Sequence, residues 1–371
     1  MKTKAAVCWG VGQDWQVEEL ELDDPKHGEV LVKLAASGLC HSDEHILTGD
    51  IPVPGFPYIG GHEGAGVIEK VGPGVDNLKV GDHVVLSFIP VCGRCKMCST
   101  GHQNLCDLGA GILEGVQIAD GTARHHVRGQ DARAMSVLGT FAPYTVVNEI
   151  SVVKIDDDIP LELAALVGCG VTTGWGSAVN SADVRPGDTV VVVGVGGIGS
   201  NAVQGARIAG AKYIVAVDPV EFKRENAQSL GATHTAASIE EAMPLVQQIT
   251  RGVMADKVIV TPGVLHGSMI SGAMALTTKG GIAVITGVGP AAELEVNMSL
   301  FDLTLSQKRL QGSLFGEANP RADIPRLLSL YQNGQLKLNE LVTRTYSLEE
   351  INQGYQDMRD GKNIRGVIVY N

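Results

Sequence analysis

Basic charge is scarce in this chain of 371 residues: 29 Lys and Arg stand against 41 Asp and Glu, a formal net charge of −12. A surface that grips phosphates needs clustered cations, so nucleic acid and anionic membranes are excluded as partners. Long apolar runs are missing as well. No stretch approaches the ~18 residues of a membrane-spanning helix, and the opening MKTKAAVCWG lacks the apolar core of a secretory leader. The chain is therefore expected to be soluble and cytoplasmic. Its composition is globular, 44% hydrophobic and 19% charged, with no low-complexity tract. Its aromatics are few, with six Phe against 47 Gly, a balance suited to the turns and close backbone approaches of strand-rich and α/β folds. The seven cysteines are odd in number and follow no leader, which argues against a disulfide framework and for metal ligation in a reducing compartment. The length exceeds one ordinary core and implies two domains.

Two textures divide the chain. The first third alternates polar and apolar residues in short strands broken by Gly and Pro (EVLVKLAASG, GAGVIEKVGPGV, GDHVVLSF), the pattern of a barrel-like β domain. From about Gly174 the strands become continuous apolar runs, TVVVVG, YIVAVD, KVIVT and IAVITG. Helical stretches such as SNAVQGARIAGA and EFKRENAQSLGA separate them, as in a parallel sheet covered on both faces. The tail ends in a helical LEEINQGYQDMRDG and a strand, RGVIVYN. The expected fold class is α/β. A β-rich domain of residues 1–173 and 314–371 would enclose a doubly wound dinucleotide-binding domain of residues 174–313.

Within that second texture, Gly194, Gly196 and Gly199 form G-x-G-x-x-G between an apolar strand and a small-residue helix, and Asp218 closes the following strand. This is the arrangement that binds a dinucleotide. Gly194 permits the turn, Gly196 lets backbone amides reach a pyrophosphate, and Gly199 lets helix and strand pack. Gly197 and Ile198 complete the loop at the helix N-terminus. The Asp218 carboxylate would hold ribose hydroxyls and repel a 2′-phosphate, favouring NAD over NADP.

The cysteines fall into two groups. Cys92, Cys95, Cys98 and Cys106 lie in one loop, PVCGRCKMCSTGHQNLC, and suit a structural tetrahedral zinc; an iron–sulfur cluster takes the same four thiolates. Cys40, His62 and Cys169 come from separate segments. Two thiolates and an imidazole with an open fourth position match the catalytic zinc pattern for which alcohol dehydrogenase is the known instance. Cys40 opens LCHSDEH, a stretch that fits a solvated loop, a helix start capped by Ser42 or Asp43, or part of a metal and proton-transfer site.

Taken together, GLCHSDEH, GHEGAGVIEKVG, the four-cysteine loop, GCGVTTGWGSAV, GVGGIG with Asp218 and GKNIRGVIVY resemble the zinc-containing, medium-chain alcohol dehydrogenases nearly end to end. The chain is most similar to their actinobacterial NDMA-dependent subgroup and is also related to the glutathione-dependent formaldehyde dehydrogenases. The resemblance implies a GroES-like catalytic domain joined to a Rossmann domain. It implies NAD-dependent oxidation of a primary alcohol to an aldehyde, two zinc ions per chain, a cofactor that stays bound between turnovers, and a homodimer or tetramer. By the same resemblance, Ser42 takes the alcohol proton and His45 passes it to water. Asp43 orients His62, and Glu63 acts from behind the metal. His41 and Arg365 face the pyrophosphate, and Lys223 the adenosine ribose. Thr173 and the backbone of Thr286, Gly287 and Val288 lie near the nicotinamide. Glu44 is left as a solvated charge. A formaldehyde–thiol adduct is the alternative substrate: Arg124 matches that branch's basic residue, but Ile51 and Val53 stand where its acidic residues would be. A non-enzymatic, zinc-stabilised NAD-binding protein is the alternative of another class.

Overall fold

Strand Glu29–Gly38 organises the first part of the computed structural model, which describes residues 1–370. It pairs antiparallel with Gly64–Val71, with Tyr144–Asn148 and with the last strand, Arg365–Val369, where Val367 faces Gly38. His83–Leu86 and Val152–Lys154 extend this sheet on one side and Val342–Tyr346 on the other. A closed barrel of Lys2–Cys8, Gln16–Leu22, His125–Val127, Gln130–Ala134 and Tyr58–Ile59 accompanies it. The C-terminal strand thus completes a sheet begun near the N-terminus. These elements belong to a compact unit of Met1–Cys169, Asn319–Gln332 and Val342–Asn371.

One apolar cluster of this unit bears directly on the site. Trp15, Phe141 and Tyr355 cluster with the short helix His41–Thr48, Trp15 meeting Phe141 edge-on with centroids 5.6 Å apart and Tyr355 at a tilt with centroids 6.2 Å apart, and Ile46 and Leu47 of that helix join them. Asn352 fastens the cluster by bonding both the N–H and the C=O of Trp15. Gly60 lets the backbone pass it: a Cβ there would meet the Trp15 ring at 2.5 Å.

The second unit comprises Gly170–Ala318 and Asn333–Leu341. Its sheet is parallel throughout, in the order 234–236, 213–217, 189–193, 255–260, 277–285, 309–312. The continuous apolar strands follow from burial on both faces: Val190, Val191 and Val192 expose nothing. Helix Gly170–Gly176 lies tightly against helix Gly197–Ile208, because a Cβ on Gly174 would sit 2.0 Å from the Ile198 carbonyl. No helix among the described residues is long and apolar enough to cross a membrane.

Candidate active site and metal centres

Helix His41–Thr48 begins directly after strand Glu29–Gly38, and its N-cap is Cys40. Neither Ser42 nor Asp43 caps it; both fall in its first turn, which frees their side chains for other partners. Asp43 is fully buried. Its Oδ1 accepts the Gly61 N–H at 2.7 Å, and its Oδ2 lies 3.0 Å from His62 Nδ1. Neither of those last two atoms has another hydrogen-bond partner among the described residues. A carboxylate only accepts, so His62 carries its proton on Nδ1 and turns Nε2 away from Asp43. Phe88 packs edge-on against the ring at 5.8 Å.

Cys169 enters from a turn between helices, where Gly168 passes so near the sheet that a Cβ would lie 2.4 Å from the Leu86 carbonyl. Cys40, His62, Glu63 and Cys169 are all buried, and each offers a donor atom within 4.8 Å of the others. Glu63 pairs with the Arg365 guanidinium, which also donates to the Leu39 carbonyl at 3.1 Å. Gly38 gives this pair room, since a Cβ there would collide with Glu63. Ser42 Oγ stands 3.7 Å from Cys40 Sγ.

The electrostatics of this cluster fit a divalent cation. Burial pushes the Glu63 carboxyl up to about 7 against the pull of Arg365. The bond to Cys40, and then burial, push the Cys169 thiol well above the usual range, while the same bond holds Cys40 well below it. Buried acids competing for protons in this way are relieved by a bound metal, which deprotonates its thiols outright.

The four-cysteine loop passes a geometric test. Tetrahedral zinc with bonds of about 2.3 Å separates its sulfurs by about 3.8 Å. Cys92 and Cys98 sulfurs lie 3.9 Å apart and those of Cys95 and Cys106 lie 4.0 Å apart, far beyond a disulfide. The N–H groups of Cys95 and Cys98 point at the sulfurs of Cys92 and Cys95, both at 3.4 Å.

In the second unit the glycine loop follows strand Thr189–Val193. Gly194 has φ +84°, and a Cβ on it would strike the backbone at Thr261 and Pro262. A Cβ on Gly199 would lie 1.8 Å from the Gly194 carbonyl, whereas Gly196 faces open space. Gly197 and Ile198 begin the helix behind the loop. Asp218 accepts the N–H groups of Val195 (3.0 Å) and Val220 (2.9 Å), which ties the end of its strand to the loop. Lys223 lies on the first turn of the next helix. Arg224, which the sequence did not single out, donates to the carbonyls of Asp218 and Pro219. Ser177, also missed, links two expected residues: its hydroxyl meets the Thr173 carbonyl at 2.7 Å and Thr286 Oγ1 at 2.9 Å. Gly287 and Val288 continue from there, with Val288 C=O accepting the Leu265 N–H. The loop, Asp218 and Thr286 all follow the carboxyl ends of their strands, where open α/β sheets bind ligands.

Two expectations need correction. Arg124 is fully buried, held by Glu29 through two hydrogen bonds (2.6 and 2.9 Å) and by Asp120 at 3.0 Å. A guanidinium so enclosed serves the interior and offers nothing to a thiol adduct. Glu44 is not a free solvated charge; it pairs with Arg359 at 2.6 Å. His41, by contrast, is half-buried at the start of its helix.

A buried three-donor metal cluster in one unit and a glycine-loop nucleotide fold in the other define a zinc-dependent, dinucleotide-linked oxidoreductase. Comparison with known proteins agrees. Residues 26–157 match the family Alcohol dehydrogenase GroES-like domain, and residues 197–333 match Zinc-binding dehydrogenase. The NDMA-dependent alcohol dehydrogenase of Amycolatopsis methanolica is 57% identical over 370 residues, covering 100% of this chain and 99% of that protein. An S-(hydroxymethyl)glutathione dehydrogenase of Synechocystis is 39% identical over 378 residues, with both chains fully covered. The crystal structure of benzyl alcohol dehydrogenase from Acinetobacter calcoaceticus superposes with a TM-score of 0.92 at 32% identity, with both chains fully covered. The chain belongs to the zinc-containing alcohol dehydrogenase family.

Proposed function

We propose that this chain oxidises primary alcohols to aldehydes with NAD, using one catalytic and one structural zinc ion. The observation that carries the proposal is the buried cluster of Cys40, His62 and Cys169 with the Ser42 hydroxyl beside it. When bound, zinc held by these three residues supplies the Lewis acidity that makes an alcohol hydroxyl acidic near neutral pH, and NAD supplies the hydride acceptor. Asp43 fixes the tautomer and direction of His62, and Glu63 with Arg365 closes the rear of the cluster. Ser42 holds the proton leaving the alcohol. His45 lies three positions along the same helix, on the same face, and is the next group able to take it. Cys92, Cys95, Cys98 and Cys106 hold the structural zinc. On the cofactor, His41 and Arg365 meet the pyrophosphate, Asp218 and Lys223 the adenosine ribose, and Thr173 with Thr286, Gly287 and Val288 the nicotinamide.

A substrate panel tests this. Simple primary alcohols should turn over with NAD at least tenfold faster than with NADP, because the Asp218 carboxylate disfavours a 2′-phosphate. Added glutathione and formaldehyde should give no faster rate, as the enclosure of Arg124 and the apolar Ile51 and Val53 leave that adduct without partners. A thiol-dependent rate exceeding that with alcohol would overturn the assignment. The panel is read first without added cofactor, using nitroso-dimethylaniline as acceptor, where turnover supports a resident NAD.

The protein is further proposed to be a cytoplasmic homodimer. Strand Arg309–Gly312 is the edge of the parallel sheet, and the neighbouring helix Leu300–Leu305 leaves Phe301 76% and Leu300 68% exposed. An open edge beside apolar side chains invites a second copy. Phe301→Asp should move the gel-filtration mass from dimer to monomer; a wild-type protein that elutes as a monomer refutes this.

A further inference from the structure

The stretch HILTGD contains a residue that neither the metal cluster nor the nucleotide fold accounts for. Helix His41–Thr48 ends at Gly49, whose left-handed backbone (φ +82°) turns the chain back on itself. A side chain is strained in that conformation, and glycine is the residue that adopts it freely. After the turn, the Ile51 N–H donates to the His45 carbonyl at 3.1 Å. The reversal brings the Asp50 carboxylate under the ring of His45: Asp50 Oδ2 lies 3.2 Å from His45 Nδ1. Thr48 Oγ1 donates to the same oxygen at 2.7 Å, which steadies it. The His45 side chain is 3% exposed and that of Asp50 is 26%.

We infer that Asp50 is a positioning residue of the proton path, holding the His45 ring by Nδ1 so that Nε2 faces the incoming proton; this rests on the role of His45 proposed above. The chemistry follows from the partners. Ionised Asp50 can only accept, so His45 Nδ1 donates and the unprotonated nitrogen is Nε2. In each oxidation the hydroxyl proton released by the substrate reaches Nε2, giving an imidazolium; the ring later loses that proton to water and returns to its starting tautomer. Asp50 neither gains nor loses a proton in the cycle. Its charge stabilises the imidazolium, as does the carbonyl end of the helix, whose last turn contains His45.

A merely structural carboxylate at a helix end would make the same contacts, and a double-mutant cycle separates the two roles. Asp50→Asn should lower kcat/KM for alcohol oxidation on the order of tenfold in the wild-type background, within the range typical of proton-transfer groups. In a His45→Ala background the same substitution should change kcat/KM less than twofold, because the ring it acts through is gone. An equal loss in both backgrounds, or no loss in either, overturns the inference. If His45→Ala itself leaves turnover unchanged, the proton path falls and this inference with it; if His45→Ala is slow but uncoupled to Asp50, only this inference falls. A measurement on the unaltered protein is independent of how the variants fold: ¹⁵N spectra of histidine-labelled enzyme should show His45 with its proton on Nδ1, and a ring protonated on Nε2 alone overturns the assignment.

Discussion

Cys169→Ala should bind one zinc ion per chain where the parent binds two, and its alcohol oxidation should fall by roughly three to four factors of ten or more. Lewis-acid stabilisation is worth several kcal/mol, and each ~1.4 kcal/mol is a factor of ten. Cys169 is one of two sulfurs in a buried cluster with Cys40, His62 and Glu63, all from distant segments, and Glu63 is already paired with Arg365. Removing it leaves two strong donors, too few for a catalytic site that needs three and an open position. Elemental analysis and steady-state rates provide the readout. The zinc that remains should be the one held by the four-cysteine loop, so the variant keeps its fold and the loss is chemical. Two zinc ions and an undiminished rate in this variant would show that the metal is held elsewhere and would remove the basis for the proposed mechanism.

Cys98→Ala should have the complementary effect. The loop around Cys92–Cys106 has almost no apolar interior of its own: among the described residues, Val91 and Leu108 are the only non-cysteine members of its cluster. Its order therefore depends on the metal, and ligand binding energy in such a loop is folding energy. Losing one buried thiolate should release that zinc and lower the melting temperature by about 4 °C, the shift that a loss of about 3 kcal/mol produces in a chain of this size. At 25 °C the rate per catalytic zinc should stay within about threefold of the parent, because no group of this loop belongs to the cluster of Cys40, His62 and Cys169. A variant as stable as the parent would mean that the loop is held without metal. Loss of turnover with the catalytic zinc still present would mean that the two sites are coupled.

Much of the site was legible because its chemistry is local in the chain. The four cysteines within fifteen positions mark a metal site by their spacing, and the glycine loop specifies its turn, since a Cβ on Gly194 or Gly199 would strike the backbone. The alternation of apolar residues distinguished the barrel strands from the doubly covered ones, because side chains alternate in a half-buried strand and need not in a fully buried one. Other residues carried no such signal. Arg124 in DGTARHH matched the basic residue of the glutathione-dependent branch, yet Glu29, 95 positions away, encloses it. Glu44 looked solvated until helix Ile351–Arg359 supplied Arg359. Ser177 is one serine among many until Thr286 arrives beside it. Asp50 stood in plain view after a glycine, and its meaning depended on the turn that Gly49 makes.

By itself the sequence determined the elements, the four-cysteine site and the nucleotide-binding loop, since these follow from spacing within one segment and from the stereochemistry of glycine, whereas only folding brings Cys40, His62 and Cys169 together. Tertiary structure alone decided that Glu63 meets Arg365 and Arg124 meets Glu29. The reason is physical. A charge leaves water only when a partner is delivered to it, and the partner comes from whichever distant segment the packing brings near, a distance no local pattern encodes.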